Sequence, residues 1–234
     1  MENITVNPLT KEVNYFDTSI TENTRACYPL EFIDNAQIPA VTGHPNNIVF
    51  LTCDAFSVLP PISKLTPEQA MYHFYSGYTS KVAGTEQGIK EPTPTFSACF
   101  GEAFMPMSPQ VYADLLLSKI QKHNTNVWLV NTGWTGGRYG IGKRISLKDT
   151  RNIITAVHEG KLDNAVFENL PIFNLAYPTH IEGVNPEILN PIDTWKNKQE
   201  YHDTLRKVAE MFNENFHKYD KIASDAVKSG APRL

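Results

Sequence analysis

Apolar and polar positions recur with two periods along this chain, and each period predicts a different kind of element. Near the start, Glu2 to Val6 and Glu12 to Phe16 alternate in the manner of strands, with Asn7-Pro8 between them as a turn. Asn47 to Thr52 is a continuous apolar run ending at Cys53-Asp54, and it predicts a buried strand. Val127 to Asn131 predicts a second. Helical spacing begins at Thr66-Pro67-Glu68-Gln69, where Thr66 can cap, Pro67 fits the first turn and Gln69 can reach back. That helix should run to about Tyr75 and stop near Gly77. Ser108-Pro109 starts another, with Val111, Leu115, Leu116 and Ile120 as its apolar face and Asn124 at its end. Ser146 with Asp149 caps a third over Thr150 to His158, closed by Gly160. Leu205, Val208, Ala209, Phe212 and Phe216 mark a long last helix, Lys198 to Tyr219. The tail 224–234 is small and polar and is expected to fray. Alternating strands and helices predict an α/β or mixed α+β class.

Composition narrows the function classes. The chain has 234 residues, 41% hydrophobic and 20% charged, which is enough apolar material for a packed core. A net charge of −4 gives no electrostatic footprint for nucleic acid or an anionic membrane surface. No apolar run is long enough for a membrane span. Met1-Glu2-Asn3-Ile4 has neither the basic nor the apolar part of a signal peptide. Cys27, Cys53 and Cys99 are an odd number without a CxxC pair, which suggests a reducing compartment and argues against a disulfide framework or zinc site.

Three loops can carry chemistry. Arg25, in Thr21 to Pro29, is either a fork for a carboxylate or phosphate or an ordinary surface arginine. Ser80 to Cys99 is a long aperiodic segment, a lid or binding loop on one reading and a surface excursion on the other. Gly133 to Arg144 places five glycines within ten residues just after a strand. It fits neither a P-loop nor a GxGxxG fingerprint, and by itself reads as a loose turn. Asp54, at a strand end, occupies a position where open α/β sheets put functional groups, and can equally cap the next turn. The seven histidines are scattered, and His73, among Tyr72, Phe74 and Tyr75, reads as packed.

In combination these loops are more specific. Thr21 to Arg25, Thr52 to Phe56 with Val58 to Lys64, Ala83 to Glu86, Glu91 to Ser97, Cys99 to Gly101, Val130 to Trp134 and Gly142 to Ile145 occur in the order of a known family. From about Glu2 to Leu234 the chain closely resembles ATP-dependent phosphoenolpyruvate carboxykinase, most like the fungal form, over somewhat less than half of that enzyme at its C-terminal end. The resemblance implies a mixed-sheet α/β fold, the C-terminal part of the carboxykinase nucleotide-binding domain, read as one region over 1–234. It implies conversion of oxaloacetate and ATP to phosphoenolpyruvate, ADP and carbon dioxide, in gluconeogenesis and in the cytoplasm, with Mg²⁺ on the nucleotide and Mn²⁺ at the reacting centre.

By position, Arg25 matches the arginine that contacts substrate and transferring phosphoryl group. Arg144, Ile145 and Thr150 match positions on the nucleoside side of ATP, and Phe104 an aromatic residue near the adenine. Gly84, Thr85, Glu86, Gly88, Thr95 and Phe96 fall in the family's mobile lid. The family's P-loop, its lysine and its metal ligands precede the matched part and are not found in this sequence, so the isolated chain is expected to be inactive. Ser57 stands where the family has glycine, and Ser108 where it commonly has histidine. The resemblance therefore admits two readings. One is a carboxykinase portion pairing with an N-terminal half or a full-length enzyme, and the other a non-catalytic remnant with residual nucleotide binding.

Overall fold

The side chains of Asn126–Asn131 alternate between two cores. Val127 and Leu129 enter one, and Trp128 and Val130 enter the other. A strand buried on both faces needs helices on both sides of its sheet, and the rest of the fold follows from that. The computed structural model describes residues 1–21, 23–82 and 88–234. In chain order the strands are β1 (Thr5–Val6), β2 (Val13–Asn14), β3 (Asn47–Thr52), β4 (Ile62–Leu65), β5 (Tyr78–Lys81), β6 (Thr93–Phe96), β7 (Asn126–Asn131), β8 (Trp134–Thr135), β9 (Lys143–Arg144), β10 (Phe167–Asn169) and β11 (Ala176–Pro178). The helices are α1 (Pro67–Ser76), α2 (Pro109–His123), α3 (Leu147–His158), α4 (Pro186–Leu189), α5 (Lys198–Phe216) and α6 (Asp225–Ser229). No helix among the described residues is long and apolar enough to cross a membrane.

Where the sequence reads as one region, the backbone divides into two compact units, residues 1–44 with 81–93 and residues 45–80 with 94–234. In the smaller unit β1 and β2 form the expected hairpin in shortened form. The Asn7 side-chain oxygen accepts from the backbone N–H groups of Leu9 at 2.9 Å and Thr10 at 3.1 Å, an Asx turn that reverses the chain. Arg25 lies opposite Glu2 in an isolated antiparallel bridge.

The larger unit holds a mixed five-stranded sheet in the order β10-β11-β4-β7-β3. The β3–β7 pair is parallel and the other neighbours are antiparallel. This is the mixed-sheet α/β fold that the resemblance implies, and one of the two classes that the pattern leaves open. On one face, side chains of α1, α2, α5 and α6 join Phe50, Leu65 and Leu129. On the other, Ile153, Ala156 and Val157 of α3 and Ile188 and Leu189 of α4 cover Ile62, Trp128 and Val130. The run 47–52 was expected to be fully buried, but β3 is the edge strand and its Leu51 is 59% exposed.

The helix signals act as the sequence indicates. Thr66 and Gln69 form a complete capping box, and Gly77 ends α1 in the left-handed region at φ 53°. A Cβ there would lie 1.6 Å from the carbonyl oxygen of Ser97, so Gly77 also permits close backbone approach. Asn124 closes α2, and Ser146 caps α3 through the Asp149 N–H at 3.0 Å. Two expectations shift. The buried stripe of α2 is Ala113 and Ile120 with partly buried Leu116 and Leu117, and Val111 and Leu115 are left on an exposed flank. In place of a frayed tail, Ser224 caps α6, Val227 is buried, and Gly230 lies against the backbone of Glu68 and Gln69.

Candidate functional site

In an open α/β sheet, ligands gather beyond the carboxyl ends of the parallel strands. Here those ends are Thr52 of β3 and Asn131 of β7. After Thr52 the chain makes a tight buried turn on Asp54. One Asp54 carboxylate oxygen accepts from the Phe56 N–H at 2.9 Å and the Tyr78 hydroxyl at 3.0 Å. The other accepts from the N–H groups of Val58 at 2.8 Å and Leu59 at 3.0 Å. Burial pushes the Asp54 carboxyl above its ordinary range, and these donors oppose that rise. The Asn131 side chain completes the joint. It accepts from the N–H groups of Asp54 at 2.9 Å and Gly133 at 2.8 Å, and it donates to the Leu59 carbonyl at 2.9 Å. Of the two readings open for Asp54, the structure gives the turn cap.

The glycine-rich segment, which alone reads as a loose turn, is an ordered ribbon. Strands β8 and β9 pair antiparallel, with Trp134 opposite Arg144 and Thr135 opposite Lys143. Two glycines make this path possible. A Cβ on Gly133 would lie 2.1 Å from the Asp54 carbonyl oxygen, and one on Gly142 would lie 2.1 Å from that of Gly137. The Gly137 N–H donates to the Ser57 hydroxyl at 3.2 Å, and the Tyr139 N–H to the Ala55 carbonyl at 2.9 Å. Ser57 itself holds φ 64°, a conformation that favours glycine, which is the physical meaning of the glycine expected there. The Trp195 indole N–H donates to its carbonyl at 2.9 Å and ties the turn to the segment before α5.

Arg144 sits on this ribbon. Its Nε and Nη2 donate to the Thr132 carbonyl at 3.1 and 3.0 Å, and its guanidinium lies 5.0 Å from the Trp134 ring centre. The Arg144 charge also reaches Cys53, where burial raises the thiol and the arginine pulls it down. Ile145 follows, buried in the core under α3, and Thr150 stands in the first turn of α3, its N–H on the Ser146 carbonyl at 3.0 Å. Arg144, Ile145 and Thr150 are thus gathered at one ribbon-to-helix junction. A cavity of about 400 Å³ adjoins the ribbon between Gly142 and Asp193.

Other sequence candidates lie elsewhere. Phe104 is 85% exposed on a separate 3-10 turn, Glu102–Phe104. Arg25 belongs to the smaller unit, its side chain exposed and in no ion pair among the described residues. Gly84, Thr85 and Glu86 lie outside the described residues. Gly88 is exposed at φ 83°. Thr95 and Phe96 lie on β6, and Phe96 packs 5.2 Å from both Tyr78 and Phe212, so this end of the segment is anchored in the core. No group of three His, Cys, Asp or Glu side chains among the described residues is arranged to hold a metal ion. Trp134 and Asn131 were not singled out as site residues. The one signal for Trp134 was its place just after the first glycine of the ribbon.

Comparison with known proteins places this architecture. The family model for phosphoenolpyruvate carboxykinase matches residues 1–187. The chain is 54% identical over 233 residues to phosphoenolpyruvate carboxykinase (ATP) of Caldanaerobacter subterraneus, covering 100% of this chain and 44% of that protein. It is 57% identical over 216 residues to phosphoenolpyruvate carboxykinase (ATP) 2 of Urochloa panicoides, covering 92% and 34%. Against the Candida glabrata protein of the same name it is 53% identical over 238 residues, covering 100% and 44%. The chain therefore spans less than half the length of these curated relatives.

Proposed function

This chain belongs to the ATP-dependent phosphoenolpyruvate carboxykinase family, and from that premise we propose that it supplies one part of a carboxykinase site. The proposed reaction takes oxaloacetate and ATP to phosphoenolpyruvate, ADP and carbon dioxide, in gluconeogenesis and in the cytoplasm. The bond to the departing carboxyl breaks, its electron pair forms an enolate, and the enolate oxygen attacks the γ-phosphorus as the bond to ADP breaks. Arg25 is assigned to the substrate carboxylate and the transferring phosphoryl group, where a guanidinium fork neutralises developing charge. Arg144, Ile145 and Thr150, with Phe104, are assigned to the nucleoside side. The segment 84–96 is assigned to a lid that excludes water from the enolate.

The observation that carries this reading is the Arg144 guanidinium, held at the carboxyl ends of the parallel strands beside the first turn of a capped helix. Mg²⁺ and Mn²⁺ are a different matter. The described residues do not fit a metal site, since Asp54, the carboxylate at the strand end, spends both oxygens on four donors. No step of the proposal passes through a metal held by this chain, and the isolated chain is expected to show no oxaloacetate-dependent ATP consumption.

The test is ligand protection. ATP at about a hundredfold over its dissociation constant should stabilise the chain by about 2.7 kcal/mol, a rise of roughly 5–10 °C in unfolding temperature. Arg144→Ala, at the same ATP concentration, should cut that rise to about half. A wild-type unfolding temperature indifferent to ATP would end the nucleotide reading. A second reading, pairing with an N-terminal half or a full-length carboxykinase, is favoured by the uncovered side chains of Leu51 on β3 and Leu115 on α2. Co-elution on mixing with either partner, with activity recovered in the first case, would support it.

A further inference from the structure

We propose that Trp134 is the positioning residue for Arg144. The indole face and the Thr132 carbonyl together hold the guanidinium in one orientation before any nucleotide arrives. The inference rests on the reading of Arg144 as a nucleotide contact. Trp134 and Arg144 are direct cross-strand partners on a two-residue pair of strands, so their side chains leave the ribbon on the same face. The guanidinium centre lies 5.0 Å from the indole centre, within the range of a cation–π contact.

The other side of the clamp is the Thr132 carbonyl, which takes Nε and Nη2. Of the five guanidinium N–H groups, two are thereby engaged, and the remaining three point away from Thr132. The indole cannot swing away, because Tyr139 meets it edge-on at 5.6 Å and 85° and Trp134 is only 8% exposed. A surface arginine loses rotamer freedom when it binds an anion. One already held by a ring and a carbonyl loses less, and the difference appears as affinity.

The experiment measures ATP affinity by calorimetry for the 234-residue chain and its Arg144→Ala, Trp134→Leu, Trp134→Phe and Trp134→Leu/Arg144→Ala variants. The Arg144 Nε–Hε resonance is recorded in parallel for every variant that retains the arginine. The expected result is a loss of about tenfold for both Arg144→Ala and Trp134→Leu, no further loss in the double variant, and near-wild-type affinity for Trp134→Phe. In the wild type the Nε–Hε proton should be shifted upfield by the ring and exchange slowly, and in Trp134→Leu both signs should vanish. Full ATP affinity in a folded Trp134→Leu, beside a loss in Arg144→Ala, would overturn the inference and leave the nucleotide reading standing. Unchanged affinity in Arg144→Ala would sink the nucleotide reading instead. Should Trp134→Leu fail to fold, the wild-type resonance decides, since an unshifted, rapidly exchanging Nε–Hε contradicts the clamp.

Discussion

A buried histidine shows how a single side chain sets a pH limit. His73 is enclosed on α1, with Phe212 meeting its ring edge at 5.5 Å, and burial lowers its pKa to about 4. The unfolded chain binds this proton near pH 6.5, so between about 6.5 and 4 the unfolded state holds more protons and stability is lost as pH falls. Urea unfolding at pH 7.5 and 5.0 should show wild type losing about 2 kcal/mol more than His73→Met over that interval. Equal losses would place the ionised ring in solvent. The packing of His73 was legible from its aromatic neighbours in sequence. The role of Asp54 was not, because the donors that decide it include Tyr78, and the adjoining joint needs Asn131, both distant in sequence and adjacent only across folded strands. The same holds for Trp134, whose contact with Arg144 exists only once β8 pairs with β9.

At the level of elements, caps were the readable feature, since a cap is satisfied within a few residues. Thr66 with Gln69, Ser108, Asn124 and Ser146 all act locally. On α2 two stripes satisfy helical spacing, and the choice between Val111/Leu115 and Ala113/Leu116/Leu117/Ile120 belongs to what the helix packs against, α1 above all. Strands β4, β10 and β11 are too short to carry a period, so their places in the sheet could not be read in advance. The terminal segment shows the opposite error. A polar composition suggested fraying, while one buried valine and one glycine in close backbone contact dock it on α1. Removing residues 224–234 should destabilise the chain by about 2–3 kcal/mol, seen as a lower urea midpoint. A midpoint equal to that of the full chain would mean that α6 contributes nothing.

For the whole molecule, the resemblance in the loops located the family, and the mixed sheet and the similarity to relatives agree with it. The division into two units was not legible, because Ser80 to Cys99 stands out as aperiodic but nothing in it associates residues 81–93 with the first 44. The place of β3 at the edge of the described sheet has a consequence for solution behaviour. β3 is a six-residue strand without charge or proline, and edges of that kind template pairing. Leu51→Lys should lower both dye binding to apolar surface and light scattering at high concentration. Unaltered scattering would show that the edge is already protected. The contact between Gly230 and the backbone of Glu68 and Gln69 also has a consequence during synthesis. Helix α1 is synthesised before α6, so its first turn stays uncovered until α6 has followed it. A nascent chain stalled before Ala223 should therefore engage chaperones through α1, and release from them should coincide with the arrival of α6.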